Sequence, residues 1–223
     1  MPRITRHIRR KPASHLHHAI RVADALRLPL NTFTTINISM TSCSVEQASC
    51  VLARLRNNYF SHWARRPTKA IVASGSEAFS PAFVWVLEAA GGVTAAHWLL
   101  HVPEDRRADF ESRLAKWVEK AVGKIENERA IEIKDAPHPK GLGKYMLKGM
   151  EEAYAPFYGI NFKDQGVVHG RRSGYSLNLG PSAKRRLRNE GDYPEARKWK
   201  PFPRPEGSIT RQALDAQRQV RAR

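Results

Sequence analysis

Two short segments of this 223-residue chain carry residues that could do chemistry together: Ala95-Ala96-His97-Trp98-Leu99-Leu100-His101-Val102-Pro103 and Lys144-Tyr145-Met146-Leu147-Lys148-Gly149. The first reads as a strand. Side chains there alternate sides, so His97 and His101 share a face. The second reads as a helix, in which residues three apart are neighbours, so Tyr145 and Lys148 meet. Imidazoles that can hold a divalent metal, a tyrosine nucleophile and an adjacent cation are the parts needed to cut a phosphodiester and keep the product covalently bound.

Each candidate has a plainer reading beside it. His97 and His101 lie four residues apart, about 13 Å along a regular strand at roughly 3.3 Å per residue, too far to share one metal. A ligand pair on a strand needs a histidine at 95 or 99, where the chain has Ala95 and Leu99. Either histidine therefore also reads as a satisfied core or surface residue. Glu88 closes the preceding strand of a proposed hairpin and could complete a metal site beside His97, or simply end its strand in solvent. An ordinary phenol ionises near pH 10 and attacks poorly unless a cation lowers the cost of its charge. Lys148 is placed to do this. The plainer reading is an amphipathic helix with Tyr145 half-buried and Lys144 and Lys148 solvated.

The elements around these segments suggest an α+β fold, with a central antiparallel sheet of about five strands and helices packed on it. Thr32 to Met40 is rich in β-branched residues and reads as a first strand. Ser44 and Gln47 have capping-box spacing, and Ala48, Leu52, Leu55, Tyr59 and Trp63 follow at helical intervals. Ala82 to Glu88 and the His97 strand form a hairpin about the Gly91-Gly92 turn. A helix is expected from Glu104 to Val122, with Phe110, Leu114, Trp117 and Val118 on one side. Arg129 to Lys134 reads as a fourth strand and Gln165 to Gly170 as a fifth. A Pro/Gly-rich loop through Pro137, Pro139 and Gly141 leads to the Tyr145 helix. The organisation is read as a basic arm over residues 1–19, mobile at its start, a domain over 20–190, and a weakly ordered Pro/Arg-rich tail over 191–223.

The net charge is +17 and the sequence pI about 10.4. Such a chain favours polyanions through long-range attraction and counterion release. Lys144, Arg171, Arg172, Lys184, Arg185, Arg186 and Arg188 suit a phosphate backbone. The alternative for the runs is a solvated helix face. No stretch approaches the roughly 20 apolar residues that span a bilayer, and no membrane partner is expected. With Cys43 and Cys50 the only cysteines, a reducing cytoplasm is the expected location.

Taken in order, the strand TFTTINIS, the hairpin FVWVLE and AAHWLLHVP, and the helix KYMLKG resemble the replication-initiator branch of the HUH endonucleases. The later stretch QGVVHGRRSGYSLNLGPSAKRR resembles the C-terminal part of bacterial plasmid-type members. The resemblance covers roughly residues 20–190. It implies rolling-circle replication and a sheet centred on a metal site, with magnesium or manganese orienting the scissile phosphate. It also implies a tyrosine that leaves a 5′-phosphotyrosine and a free 3′-hydroxyl. The expected partners are single-stranded or hairpin origin DNA and a host helicase or polymerase. By motif, Tyr145 is the nucleophile, Lys148 its cationic helper and His97 the second histidine of the metal pair. The first histidine of that pair is replaced by Ala95. Three outcomes follow: a weaker site on Glu88 and His97, substitution by His101 through a bulge, or a catalytically degenerate DNA-binding regulator. An RNA-binding protein is a further alternative. Its base-stacking platform would need exposed aromatic pairs, and the first strand offers Phe33 alone.

Overall fold

The computed structural model describes residues 3–67, 69–73 and 75–193. The expected tail from residue 194 onward lies outside these.

The fold is α+β, built on a five-stranded antiparallel sheet. In chain order its elements are β1 (Ile4–Thr5), α1 (Arg10–Ala25), β2 (Thr32–Asn37), α2 (Ala48–Arg54), α3 (Ser61–Arg65), α4 (Lys69–Ala73), β3 (Phe83–Glu88), β4 (Ala95–Leu100), α5 (Arg107–Val122), β5 (Ile131–Asp135), α6 (Pro139–Met146), β6 (Val168–His169), β7 (Ser173–Tyr175) and α7 (Pro181–Asn189). The main sheet has the order β5-β2-β4-β3-β7, and β1 pairs with β6 as a separate two-residue ribbon.

Both faces of the sheet are covered, which explains why β3 and β4 are almost continuously apolar. Alternation sorts their side chains. Trp85, Leu87, Ala96, Trp98 and Leu100 face one core with α2, α3 and α5. Phe33, Val84, Val86 and Leu99 face the other with α1 and α6. The sheet is thus the middle of three layers, with α2, α3 and α5 burying apolar residues on one face and α1 and α6 on the other.

Several sequence-based expectations are corrected. Residues 3–19 are not a loose arm: Ile4 and Thr5 pair with His169 and Val168, and α1 buries Ala13, Leu16, Ala19, Ile20, Val22 and Ala23. The polar His-rich surface of α1 masks that stripe in the sequence. The first strand stops at Asn37, where a 3-10 turn takes over. The capping box does not form. Ser44 makes no cap bond, and Val45–Gln47 is itself a 3-10 turn. The expected helical stripe is nevertheless on the core side, across a π-helical turn at Leu55–Phe60 that also turns Phe60 inward. The fifth strand of the main sheet is Ser173–Tyr175, not Gln165–Gly170. At Gly174 a side chain would strike the Trp85 indole, with a Cβ only 2.8 Å from its nitrogen, so glycine is what lets β7 join the edge. Pro139 and Gly141 belong to α6 rather than to a preceding loop, with Pro139 in the first turn, where a missing N–H costs nothing.

Candidate functional site

The antiparallel register places the candidates on one face of the sheet. His97 lies opposite Thr35 of β2 and Val86 of β3; two residues along, Ala95 lies opposite Asn37 and Glu88. Phe33, Thr35, Asn37, Ala95, His97 and Glu88 therefore line the face covered by α1 and α6. α6 packs against α1 and against β4, carrying Tyr145 over the His97 row.

Glu88 and His97 are buried, at 6% and 7% exposure. His97 Nε2 is 3.1 Å from Glu88 Oε2, and its Nδ1 is 3.2 Å from Thr35 Oγ1. The same Glu88 Oε2 accepts from Lys148 Nζ at 3.0 Å. The imidazole stacks on Phe33 with ring centroids 5.5 Å apart, and the edge of Tyr145 meets His97 at 5.4 Å. Lys148 Nζ stands 3.9 Å from the Tyr145 ring centroid. Tyr145 itself is 47% exposed. The arrangement is a solvent-facing phenol over a buried, charged floor.

Burial pushes the Glu88 carboxyl up, but His97 and Lys148 together outweigh it and hold the carboxyl below its usual range. For Lys148, burial favours the neutral amine, but attraction to Tyr145 and Glu88 prevails and raises its pKa. The ammonium beside Tyr145 is thus fixed by a carboxylate beneath it. Lys148 lies just past the end of α6, in a tightened turn where its N–H bonds the Tyr145 carbonyl at 3.2 Å. The three-residue spacing still brings the two side chains together.

The donor set does not fit a resident divalent cation. Glu88 Oε2 already receives both His97 and Lys148. A dication on that oxygen would stand against the ammonium. Ala95 contributes a methyl group in the row where a further ligand would stand. Glu88 Oε1 and Asn37 Oδ1 are buried without a hydrogen-bond partner among the described residues; both belong to residues paired with Ala95, which brings no donor atom to the row. Among the described residues no group of three or more His, Cys, Asp or Glu side chains could hold a metal. Adding Mn²⁺ is therefore expected to leave the melting temperature unchanged. Ala95→His combined with Lys148→Met supplies a ligand and removes the opposing charge. That variant should melt several degrees higher at saturating Mn²⁺, since binding at 100 times Kd adds about 2.7 kcal/mol. Thermal denaturation with and without the ion checks both.

His101 does not join this site. Its Nδ1 lies 2.8 Å from the Pro29 carbonyl oxygen, and its ring meets the edge of Phe79 at 5.7 Å. No bulge in β4 brings it back: the strand pairs residue for residue with both neighbours from Ala95 to Leu100.

The basic candidates divide. Arg172 is 2% exposed and is not available to a phosphate. Its guanidinium donates to the carbonyl oxygens of Leu87, Thr5, Arg6, Gln165 and Gly166. Arginine's five fixed donors suit backbone oxygens as well as phosphates, and sequence alone does not separate the two. Here Arg172 ties the β1 segment and the Gln165 loop to β3. Arg172→Met should lower unfolding stability by about 2–3 kcal/mol, because buried carbonyls lose their donor; urea denaturation measures this. Arg171 is exposed, with its Nε on the Ser173 carbonyl at 2.8 Å. Lys144, Arg185, Arg186 and Arg188 are exposed and Lys184 is partly so; Arg186 faces Glu190 at 3.9 Å.

Among the described residues no helix is long and apolar enough to cross a membrane. Set against family models, curated proteins and solved structures, the chain matches none.

Proposed function

We propose that the protein is a DNA-binding, rolling-circle initiator-like protein that nicks and rejoins single-stranded or hairpin DNA through Tyr145. The observation that carries this reading is the convergence of Tyr145, Lys148, Glu88 and His97, drawn from α6, the turn that follows it and two adjacent strands, in a chain of net charge +17. An exposed phenol over a clamped ammonium suits an incoming phosphodiester. Tyr145 Oη bonds to phosphorus, the bond from phosphorus to the 3′ oxygen breaks, and the phenol's proton passes through solvent to the departing 3′ oxygen. Rejoining is the reverse. Lys148 opposes the negative charge that gathers on the phosphate oxygens. Glu88 is a positioning residue, and Phe33 and Thr35 hold His97 in place.

A second reading, a non-catalytic DNA-binding regulator, draws on Ala95 and on the closed Glu88–Lys148 pair. One experiment separates the two. The protein is incubated with a pool of single-stranded hairpin DNAs, in Mn²⁺ and in EDTA, and resolved on a denaturing gel. A covalent adduct in both conditions supports attack assisted by Lys148 alone; an adduct in Mn²⁺ only would restore a metal to the reaction. Retention of the pool on a native gel with no adduct in either condition supports the regulator.

A further inference from the structure

A second cationic feature lies on α1 and α7, outside the Tyr145 constellation. Tyr193 is buried at the end of the described chain, and three cations from two helices surround its ring: Arg21 at 5.2 Å, Lys184 at 5.7 Å and Arg188 at 5.6 Å from the centroid. Its hydroxyl is 2.8 Å from His18 Nδ1. The charged neighbours that shift His17, His18 and Lys184 are all basic. His17 is destabilised as a cation first by burial and then by Arg21, Lys144, Lys184 and Lys140. His18 is pushed down to about 4 by burial, Lys184, His17, Arg21 and Arg188. Lys184 falls to about 8, through burial and the proximity of Arg188 and Arg21. Among the described residues neither Lys184 nor Arg188 has a carboxylate partner, while Lys140 meets only the exposed Asp24 at 3.7 Å.

Mutual repulsion of this kind costs stability, and a polyanion laid across the cations reverses its sign. α1 packs against both α6 and α7, and His17 on α1 stands within the influence of Arg21, Lys184, Lys140 and Lys144 together, the last being the residue before Tyr145. We propose that Arg21, Lys184 and Arg188, extended by Lys140 and Lys144, form a phosphate-binding channel that carries the backbone of single-stranded nucleic acid to or from Tyr145. The channel adds α1 and α7 to the binding surface, with the buried Tyr193 ring packed among its cations. It deepens the DNA-binding reading without depending on nicking.

The test uses the full chain and the oligonucleotide dT20, with binding measured from 50 to 300 mM NaCl. For Arg21→Gln/Lys184→Gln/Arg188→Gln, the slope of log K against log salt should fall by about 2, since each phosphate contact on a single strand contributes about 0.7. The charge-conserving Arg21→Lys/Lys184→Arg/Arg188→Lys should keep the full slope, separating charge from packing around Tyr193. Affinity at fixed salt should also fall as pH rises from 7 to 9 and Lys184 loses its proton in a setting faced by His15, His17, His18, Arg21, Arg188 and Tyr193. Lys184→Arg should flatten that fall. An unchanged slope in the glutamine variant, or a pH dependence that survives Lys184→Arg, would overturn the channel. A reduced slope in a protein that forms no covalent adduct would uphold the channel while removing the nicking reading.

Discussion

Tyr145→Phe should abolish the covalent DNA adduct, at least 1000-fold below the parent protein at equal time on the scale of losing an essential nucleophile, while leaving DNA affinity within about twofold. The substitution removes one oxygen from a ring that is half-exposed and keeps its edge contacts with His97 and Phe33. Lys148 retains its bond to Glu88, so the floor of the site stays in place. Stability should change by less than about 1 kcal/mol, as expected for a surface hydroxyl. The check is a denaturing gel with end-labelled hairpin DNA, run beside a native gel for affinity. An adduct that persists in Tyr145→Phe would remove this phenol as the nucleophile. The other tyrosines are partly or fully buried and do not share its surroundings: Tyr145 is the tyrosine brought against both an ammonium and the buried imidazole of β4.

The strands of this site were legible because physical constraints act on single residues. Thr32–Asn37, Phe83–Glu88 and Ala95–Leu100 are short apolar or β-branched runs bounded by turn residues, and in a sheet covered on both faces such runs cannot be much else. Gly91 and Gly92, both with positive φ, announced the hairpin that sets Glu88 beside the His97 row. What the sequence could not reveal depended on distant partners. Lys148 and Glu88 are 60 positions apart, so the closed ion pair that disfavours a metal has no local signature. Arg171 and Arg172 look alike in sequence, yet one faces solvent and the other ends among carbonyl oxygens, a choice made by the β1–β6 ribbon. That ribbon is two residues long and carries no pattern of its own. α1 was different: Ala13, Leu16, Ile20 and Ala23 recur at helical spacing, and its histidines and arginines concealed a readable stripe.

Glu88→Ala should unfold the protein more readily by about 3–5 kcal/mol, the loss expected when one partner of a buried pair is removed and its charge is left alone. Lys148 would then sit in a largely buried position with no carboxylate beneath it, and His97 Nε2 would lose its partner. The dependence on pH gives this effect a signature that a simple cavity lacks. The folded Glu88 carboxyl lies below its usual range, so its contribution is present above the unfolded pKa of about 4.3 and is lost as pH falls through the folded value. The folded Lys148 ammonium lies above its usual value, so its contribution is complete below about 10.4 and is lost as pH rises through the folded value. The pair therefore stabilises across a plateau from about pH 5 to 10 and weakens at both ends. Urea denaturation of the parent and of Glu88→Ala at pH 3, 7 and 11 should give curves that converge toward the two extremes and separate most at pH 7. Lys148→Met reports on the same pair from the other side. It leaves Glu88 bonded to His97 alone, so it should cost less than Glu88→Ala, and it should also weaken adduct formation while Tyr145 stays in place. Should the stability gap for Glu88→Ala stay constant from pH 3 to 11, the glutamate would be acting through packing and not through charge, and the case for an ammonium held ready beneath Tyr145 would fall with it.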